Sequence, residues 1–244
     1  MSVLMPLRVI LFYLLLAASA GIWGLVMLIV APFLPYRWRF TLIVGWWSRL
    51  AIWLSKHLVG IRYEVIGAEN IPAQPGVILA NHQSTWETFF LQQIFRPQTQ
   101  LIKKELLYVP LFGWAFALAK PIAIDRSKGR DSLKQLAAVG GQRLKDGIWI
   151  LVFPEGTRVL PGSPIKFSRG GTALACANQA PVVPVAHNAG EFWPKHGWGK
   201  KPGTVTVMIG PALYPKGADP RSIVELNKRA EEWVNQAMLA IQQR

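Results

Sequence analysis

The stretch GVILANHQSTWETFF, residues 76–90, indicates both how the chain folds and where its chemistry lies. Its apolar run GVILA is short and continuous, which is typical of a strand buried on both faces. The run ends abruptly at Asn81 and His82, and Ser84 or Thr85 can cap a helix that follows. Ligands of open α/β sheets bind beyond the carboxyl ends of the strands, so His82 is a candidate site residue.

A carboxylate follows His82 at a spacing that favours a pair. Glu87 lies five residues further on, one turn into the predicted helix, where its carboxylate can reach back to the imidazole. A carboxylate on one ring nitrogen fixes the tautomer and makes the other nitrogen a better base for a hydroxyl proton. The alternative is that His82 merely caps the helix or packs in the core.

The stretch LVFPEGTR, residues 151–158, shows the same change from an apolar strand to polar residues. Gly156 lets the backbone approach a ligand closely, and Thr157 provides a hydroxyl group. Arg158 carries a guanidinium fork that suits phosphate oxygens. Taken alone, this stretch could be a structural turn with a surface arginine. Together, the two stretches predict a hydroxyl-activating base that faces an anion-binding group.

Short β-rich runs alternate with helical stretches from Arg62 onward. Strands are predicted over residues 63–66, 77–80, 100–103, 121–124, 148–153, 182–186 and 204–209. Helices are predicted over residues 85–94, 112–119, 132–145, 170–178 and 220–243. This alternation predicts an α/β fold for residues 59–244, with a mostly parallel sheet flanked by helices.

Composition limits the classes of function. The 244 residues are 51% hydrophobic and 16% charged, which excludes a disordered chain. The single cysteine excludes an intramolecular disulfide and a cysteine-based zinc site. The net charge of +14 is compatible with nucleic acid, anionic lipid or phosphorylated substrates. Because the basic residues are spread along the chain and do not form a run, we expect a membrane partner and no nucleic acid.

The N-terminus contains two apolar segments. Residues 9–36 carry no charge and are long enough to enter a bilayer, and residues 41–54 contain three tryptophans. We predict a helical pair in residues 1–58 that anchors the protein, one helix deeply embedded and one lying at or re-entering the same leaflet. The alternative is a cleaved signal peptide with its cleavage site at Ala-Ser-Ala, residues 18–20, but the apolar run continues to Val30.

The two polar stretches resemble known blocks of the glycerolipid acyltransferase family. NHQSTWE, residues 81–87, is similar to the N-H-x4-D block, with Glu87 in place of the usual aspartate, and FPEGTR, residues 153–158, matches the third block. Three more segments, at residues 101–114, 121–126 and 180–186, resemble the lysine-containing segment and the second and fourth blocks. Within the family, the chain most resembles bacterial 1-acyl-sn-glycerol-3-phosphate acyltransferases.

The resemblance implies transfer of a fatty acyl group from acyl carrier protein or acyl-CoA to the sn-2 hydroxyl of lysophosphatidic acid, giving phosphatidic acid. His82 and Glu87 would be catalytic, and no cofactor or metal is expected. The resemblance also implies an inner-membrane protein with its active site on the cytosolic face. Substrate-binding roles are implied for Asn81, Lys103, Arg126, Glu155, Gly156, Thr157 and Arg158.

Three other functions stay open at this point. A related acyltransferase could act on another lysolipid or on glycerol 3-phosphate. A non-catalytic protein that binds anionic lipid would explain the N-terminus and the charge, but not the spacing of His82 and Glu87. A hydrolase is disfavoured because the G-x-S-x-G nucleophile elbow is absent from the sequence.

Overall fold

The structure, a computed structural model, describes residues 4–124, 129–196 and 199–244. Seven strands of these residues form one sheet. The strands are β1 (Ile61–Ile66), β2 (Val77–Ala80), β3 (Gln98–Lys103), β4 (Ile122–Ile124), β5 (Trp149–Val152), β6 (Val182–His187) and β7 (Gly203–Ile209). Each lies within a few residues of its predicted position, and the strands β2, β5 and β6 are continuous buried runs.

The sheet has the strand order β1-β7-β6-β2-β5-β3-β4. All neighbouring pairs are parallel except β6 and β7, which are antiparallel. The central strand β2 lies between β5 and β6, so the residues that follow these three parallel strands meet at one edge of the sheet. The predicted α/β class with a mostly parallel sheet is therefore confirmed.

Helices cover both faces of the sheet. They are α1 (Leu4–Val30), α2 (Tyr36–Arg39), α3 (Trp47–Leu54), α4 (Trp86–Ile94), α5 (Phe112–Leu118), α6 (Gly129–Lys145), α7 (Gly170–Ala177), α8 (Ala189–Phe192) and α9 (Pro220–Gln242). Alternate residues of β2 serve the two faces: Ile78 packs in a core with α1, α3 and α4, and Leu79 packs in a core with α7 and α9. This alternation follows from the two-residue period of a strand.

The two N-terminal helices differ from the prediction in their lengths. Helix α1 ends at Val30, and a 3₁₀ turn over Ala31–Phe33 follows it. The second helix begins at Tyr36, earlier than predicted, and α-helical and π-helical turns follow one another as far as Val59. Leu4–Phe33 is long and apolar enough to cross a membrane, by length and composition alone.

Helix α1 shares a core with the α/β sheet. The Phe12 side chain is fully buried in the same cluster as Ile78 and Trp193. Beside it, the buried Lys200 donates a hydrogen bond from Nζ to the Tyr13 hydroxyl and lies 4.6 Å from the Trp193 ring centre. The boundary at residue 58 stays a prediction, and the residues before it complete the core of the α/β domain.

Candidate active site

His82 lies two residues beyond the end of β2, at the edge of the sheet where the neighbouring strands β5 and β6 also end. Its ring stacks on Phe153, which follows β5, with ring centres 4.0 Å apart and planes inclined by 13°. The stacking fixes the plane of the imidazole. The position predicted from the abrupt end of the apolar strand is therefore the one that the structure shows.

Glu87 pairs with His82 through a single carboxylate oxygen. The distance between His82 Nδ1 and Glu87 Oε1 is 2.9 Å. The backbone N–H groups of Gln83 and Ser84 donate to the same oxygen, at 3.0 Å and 2.7 Å. Three donors therefore hold the carboxylate at the start of α4, directly beside the imidazole.

The charge of Glu87 is well defined although the side chain is fully buried. Burial by itself raises the pKa of Glu87, but His187, His82 and the Ser84 N–H lower it to about 2. An ionised Glu87 accepts the proton on His82 Nδ1, so the lone pair of the imidazole lies on Nε2. Nε2 is therefore the atom that can accept a proton from a substrate.

The peptide bond between Asn81 and His82 is held from both sides. On one side, the His82 N–H donates to Glu155 Oε2 at 3.1 Å. On the other side, His187 at the end of β6 donates from Nε2 to the Asn81 carbonyl oxygen at 2.8 Å. The His82 carbonyl in turn accepts the Val159 N–H at 2.8 Å. Groups from both neighbouring strands thus fix the backbone that carries the candidate base.

Two members of this network have shifted pKa values. Burial and the nearby charge of Glu87 raise the pKa of Glu155 to about 8, against a smaller lowering by the His82 N–H. Glu155 Oε1 is buried and has no hydrogen-bond partner among the described residues. Burial also lowers the pKa of His187, against a smaller raising by the Glu87 charge and by the hydrogen bond to the Asn81 carbonyl.

His187 is the residue that sequence reasoning missed. No role was predicted for this residue from the sequence. No group of three metal-ligating side chains occurs within residues 4–124, 129–196 and 199–244. The signal that could have found His187 is its place directly after the apolar run VVPVA, at the end of a strand.

Asn81 was expected to bind substrate, and the structure gives its side chain a different partner. Its Nδ2 donates to the His187 carbonyl at 2.9 Å, and its Oδ1 accepts the His187 N–H at 3.0 Å. Both polar atoms of this fully buried amide therefore join β2 to β6. Asn81 therefore has a structural role, and its contact with substrate stays a prediction from the family resemblance.

The residues of the FPEGTR stretch lie beside the base. Arg158 Nη1 donates to the Thr85 hydroxyl at 3.0 Å, so the guanidinium is held against the loop between His82 and Glu87. Gly156 adopts a positive φ of 75°, which glycine accepts without strain and which allows the tight turn after β5. Gly156, Thr157 and Arg158 all line the same cavity as His82.

The structure does not test the predicted roles of two phosphate ligands. Lys103 is the last residue of β3, and its backbone is paired with Ile124 in the sheet. Arg126 lies outside the described residues. Their roles stay predictions from the family resemblance.

A cavity of about 680 Å³ extends from His82 between the sheet and the N-terminal helices. Apart from the site residues at one end, its wall is mostly apolar, with Trp23 and Met27 from α1 and Phe112 and Phe116 from α5. Gln92 and Gln100 also line it. A volume of this size and character suits a small-molecule ligand with a large apolar part.

Comparisons with known proteins identify the family. A family model described as Acyltransferase matches residues 62–188. The 1-acyl-sn-glycerol-3-phosphate acyltransferase of Pseudomonas aeruginosa is 58% identical over 241 residues, covering 99% of this chain and 94% of that protein. The human 1-acyl-sn-glycerol-3-phosphate acyltransferase alpha is 33% identical over 196 residues, covering 79% and 68% of the two chains.

A solved structure shares the whole architecture. The crystal structure of the 1-acyl-sn-glycerophosphate (LPA) acyltransferase PlsC from Thermotoga maritima aligns with a TM-score of 0.80 at 24% identity, and the alignment covers 98% of this chain and 96% of that one. At this identity the likeness shows the fold. With the family model and the near-full-length relative, the conclusion is direct: this chain belongs to the acyltransferase family whose members include the 1-acyl-sn-glycerol-3-phosphate acyltransferases.

Proposed function

We propose that the protein transfers a fatty acyl group from an acyl thioester to the sn-2 hydroxyl of lysophosphatidic acid, giving phosphatidic acid and a free thiol. The C–S bond of the thioester breaks and a C–O ester bond forms. The hydroxyl proton leaves with the thiol, so atoms balance without a cofactor. The near-full-length similarity to relatives that carry this name supports the choice of acceptor.

His82 is the proposed general base. Its Nε2 takes the proton from the acceptor hydroxyl as the oxygen attacks the thioester carbonyl, and the proton then passes to the leaving thiolate. Glu87 stabilises the imidazolium that forms, because it is ionised and 2.9 Å from Nδ1. The Asn81–His82 peptide, fixed by Glu155 and His187, keeps the base in place during the transfer.

Arg158 is the proposed ligand of the acceptor phosphate. Its guanidinium lies on the cavity wall with His82, tied to Thr85, and can present a fork to phosphate oxygens. Thr157 and Gly156 line the wall between these two groups and are proposed to contact the glycerol part. Lys103 and Arg126 are proposed to add further positive charge, on the basis of the family blocks.

The apolar part of the cavity is proposed to hold a fatty acyl chain. The N-terminal helices supply much of its wall, which places their exposed apolar side chains next to the route that a lipid would take. We therefore propose that residues 1–58 seat the protein in the inner membrane, with the site at the headgroup level of the cytosolic leaflet. Acyl carrier protein and acyl-CoA are both retained as donors.

The single observation that carries the proposal is that His82, on the wall of an apolar cavity that Arg158 also lines, lies 2.9 Å from the buried carboxylate of Glu87. The test uses full-length protein in lipid vesicles, with thiol release measured for each pair of thioester and acceptor. We expect release from acyl carrier protein or CoA thioesters only with an acceptor present, and fastest with lysophosphatidic acid. Release without an acceptor would indicate a hydrolase, and equal rates with a lysolipid that lacks the phosphomonoester would refute the role of Arg158.

A further inference from the structure

A second group of exposed apolar side chains lies outside the N-terminal helices, in the segment from Lys104 to Lys120. Four large side chains of this segment are exposed to an unusual degree: Leu106 by 41%, Tyr108 by 64%, Val109 by 44% and Trp114 by 51%. Single exposed apolar residues are common on soluble proteins, but four within nine residues form a patch. We call residues 104–120 the aromatic segment.

The aromatic segment is continuous with the exposed face of α1. Helix α5, which belongs to the segment, packs against α1. At the contact, Gly24 lies so close to the backbone of Leu111 that a Cβ atom there would be 3.0 Å from its carbonyl carbon and oxygen. On either side of Gly24, Ile22 is 67% and Leu25 is 52% exposed. The two apolar surfaces therefore adjoin, and a bilayer that receives α1 also meets the segment.

The chemistry of the aromatic segment suits the boundary between lipid and water. Tyrosine and tryptophan concentrate at this level because each has an apolar body and a polar tip. Exposed lysines, Lys104 and Lys120, lie at the two ends of the segment, and Glu105 is its one acid. Basic residues near an anionic lipid surface strengthen binding to it. A soluble protein partner would not require this arrangement of aromatic side chains between lysines beside a lipid-seeking helix.

The other side of the same segment faces the cavity. Phe112 and Phe116 line the cavity wall together with Gly24 of α1, and the partly exposed Leu106 reaches both the outer patch and the cavity. We propose that the aromatic segment is a second membrane-contact surface, seated at the headgroup level beside α1, and that it forms the wall between the bilayer and the cavity. The proposal that the segment forms the wall between the bilayer and the cavity rests on the proposed function, whereas the membrane contact does not.

The test places a fluorescent label on the segment and at a matched control position. Val109 and Val224 are similar in exposure, 44% and 40%, but Val224 lies on α9, which packs on the opposite face of the sheet. Each is changed to cysteine in the full-length chain and labelled with an environment-sensitive dye. The native Cys176 is buried and is left in place, and unlabelled protein corrects for it. A second pair, Tyr108→Cys and Tyr214→Cys, keeps the test decisive if one variant fails to fold.

The labelled proteins are reconstituted into vesicles of phosphatidylcholine and phosphatidylglycerol, without substrate. We expect nitroxide-bearing lipid to quench the labels at positions 109 and 108 several-fold more than those at 224 and 214, and aqueous iodide to show the reverse order. Equal iodide quenching at all four positions would overturn the proposal. Labels at 109 and 108 that are shielded from iodide but insensitive to the lipid quencher would also overturn it, because they would indicate a protein partner or a second copy. No outcome depends on enzyme activity.

Discussion

Glu87→Gln isolates the charge of the proposed dyad from its geometry. All three donors of the native network, His82 Nδ1 and the N–H groups of Gln83 and Ser84, converge on Oε1. The other oxygen, Oε2, is buried without a partner among the described residues. A glutamine can therefore place its carbonyl oxygen at the Oε1 position and keep the three hydrogen bonds. What it loses is the negative charge.

The expected loss follows from the distance. At 2.9 Å and an effective dielectric constant of about 20, a full charge on His82 would interact with Glu87 by about 6 kcal/mol. Only part of this interaction energy is expected to be lost, because the His82 side chain is 19% exposed and the proton is only partly transferred in the transition state. About half, ~3 kcal/mol, corresponds to a ~10²-fold lower kcat.

The assay follows thiol release from an acyl thioester with lysophosphatidic acid in vesicles, for native protein, Glu87→Gln and Glu87→Asp. We expect Glu87→Gln to lose about two orders of magnitude in kcat, with little change in KM for the acceptor. Glu87→Asp should retain substantial activity, because it keeps the charge and restores the residue usual in the family. Native-like kcat in a correctly folded Glu87→Gln protein would refute the electrostatic role and leave Glu87 a structural residue.

Three further changes test other parts of the site. Arg158→Ala should raise KM for lysophosphatidic acid by about 10- to 100-fold, because a charged hydrogen-bonding group is lost, and should leave KM for the thioester unchanged. An equal rise in KM for an uncharged acceptor would contradict this. Glu155→Gln should remove a pH dependence of stability. Because the pKa of Glu155 in the folded state is raised to about 8, the free energy of unfolding of the native protein should fall by roughly 3 kcal/mol between pH 5 and 8. Parallel profiles of unfolding free energy against pH for variant and native protein would contradict the assignment. Gln100 lies level with Ile78 and two strands away from β2, which puts it about 16 Å from His82. Gln100→Leu should therefore shift the preference toward longer acyl chains in a mixed-thioester competition. An unchanged preference would show that the cavity ends elsewhere.

The sequence alone was sufficient for the parts of the fold that rest on local patterns. Short apolar runs placed β2 and β5 within a residue or two, and the five-residue spacing placed Glu87 beside His82. The abrupt ends of the two strands also indicated where the site lies. Each of these depends on residues that are near one another in the chain, where the periods of strands and helices apply.

The contacts made across the sheet could not be predicted from such patterns. Glu155 and His187 hold the Asn81–His82 peptide from 73 and 106 residues away in the chain. Their approach depends on the strand order β6-β2-β5, in which neighbours in space are not neighbours in sequence. The same limit explains why the hydrogen bonds by which the Asn81 amide joins two strands were not predicted.

Hydropathy also failed to distinguish two kinds of apolar residue in α1. Phe12 and Leu14 are equally apolar, yet Phe12 is fully buried in the core and Leu14 is 63% exposed. A uniformly apolar helix has no polar face to mark which side packs on protein. For this reason the helix was predicted as an anchor alone, whereas it also closes one wall of the cavity.

The claim that His82 is the general base can be checked by the rate of phosphatidic acid formation by purified His82→Ala protein in vesicles, with lysophosphatidic acid and an acyl thioester. If His82 is the general base, the variant should bind vesicles normally but form phosphatidic acid at least ~10²-fold more slowly than the native protein. Turnover close to the native rate in a folded, membrane-bound His82→Ala protein would contradict the claim.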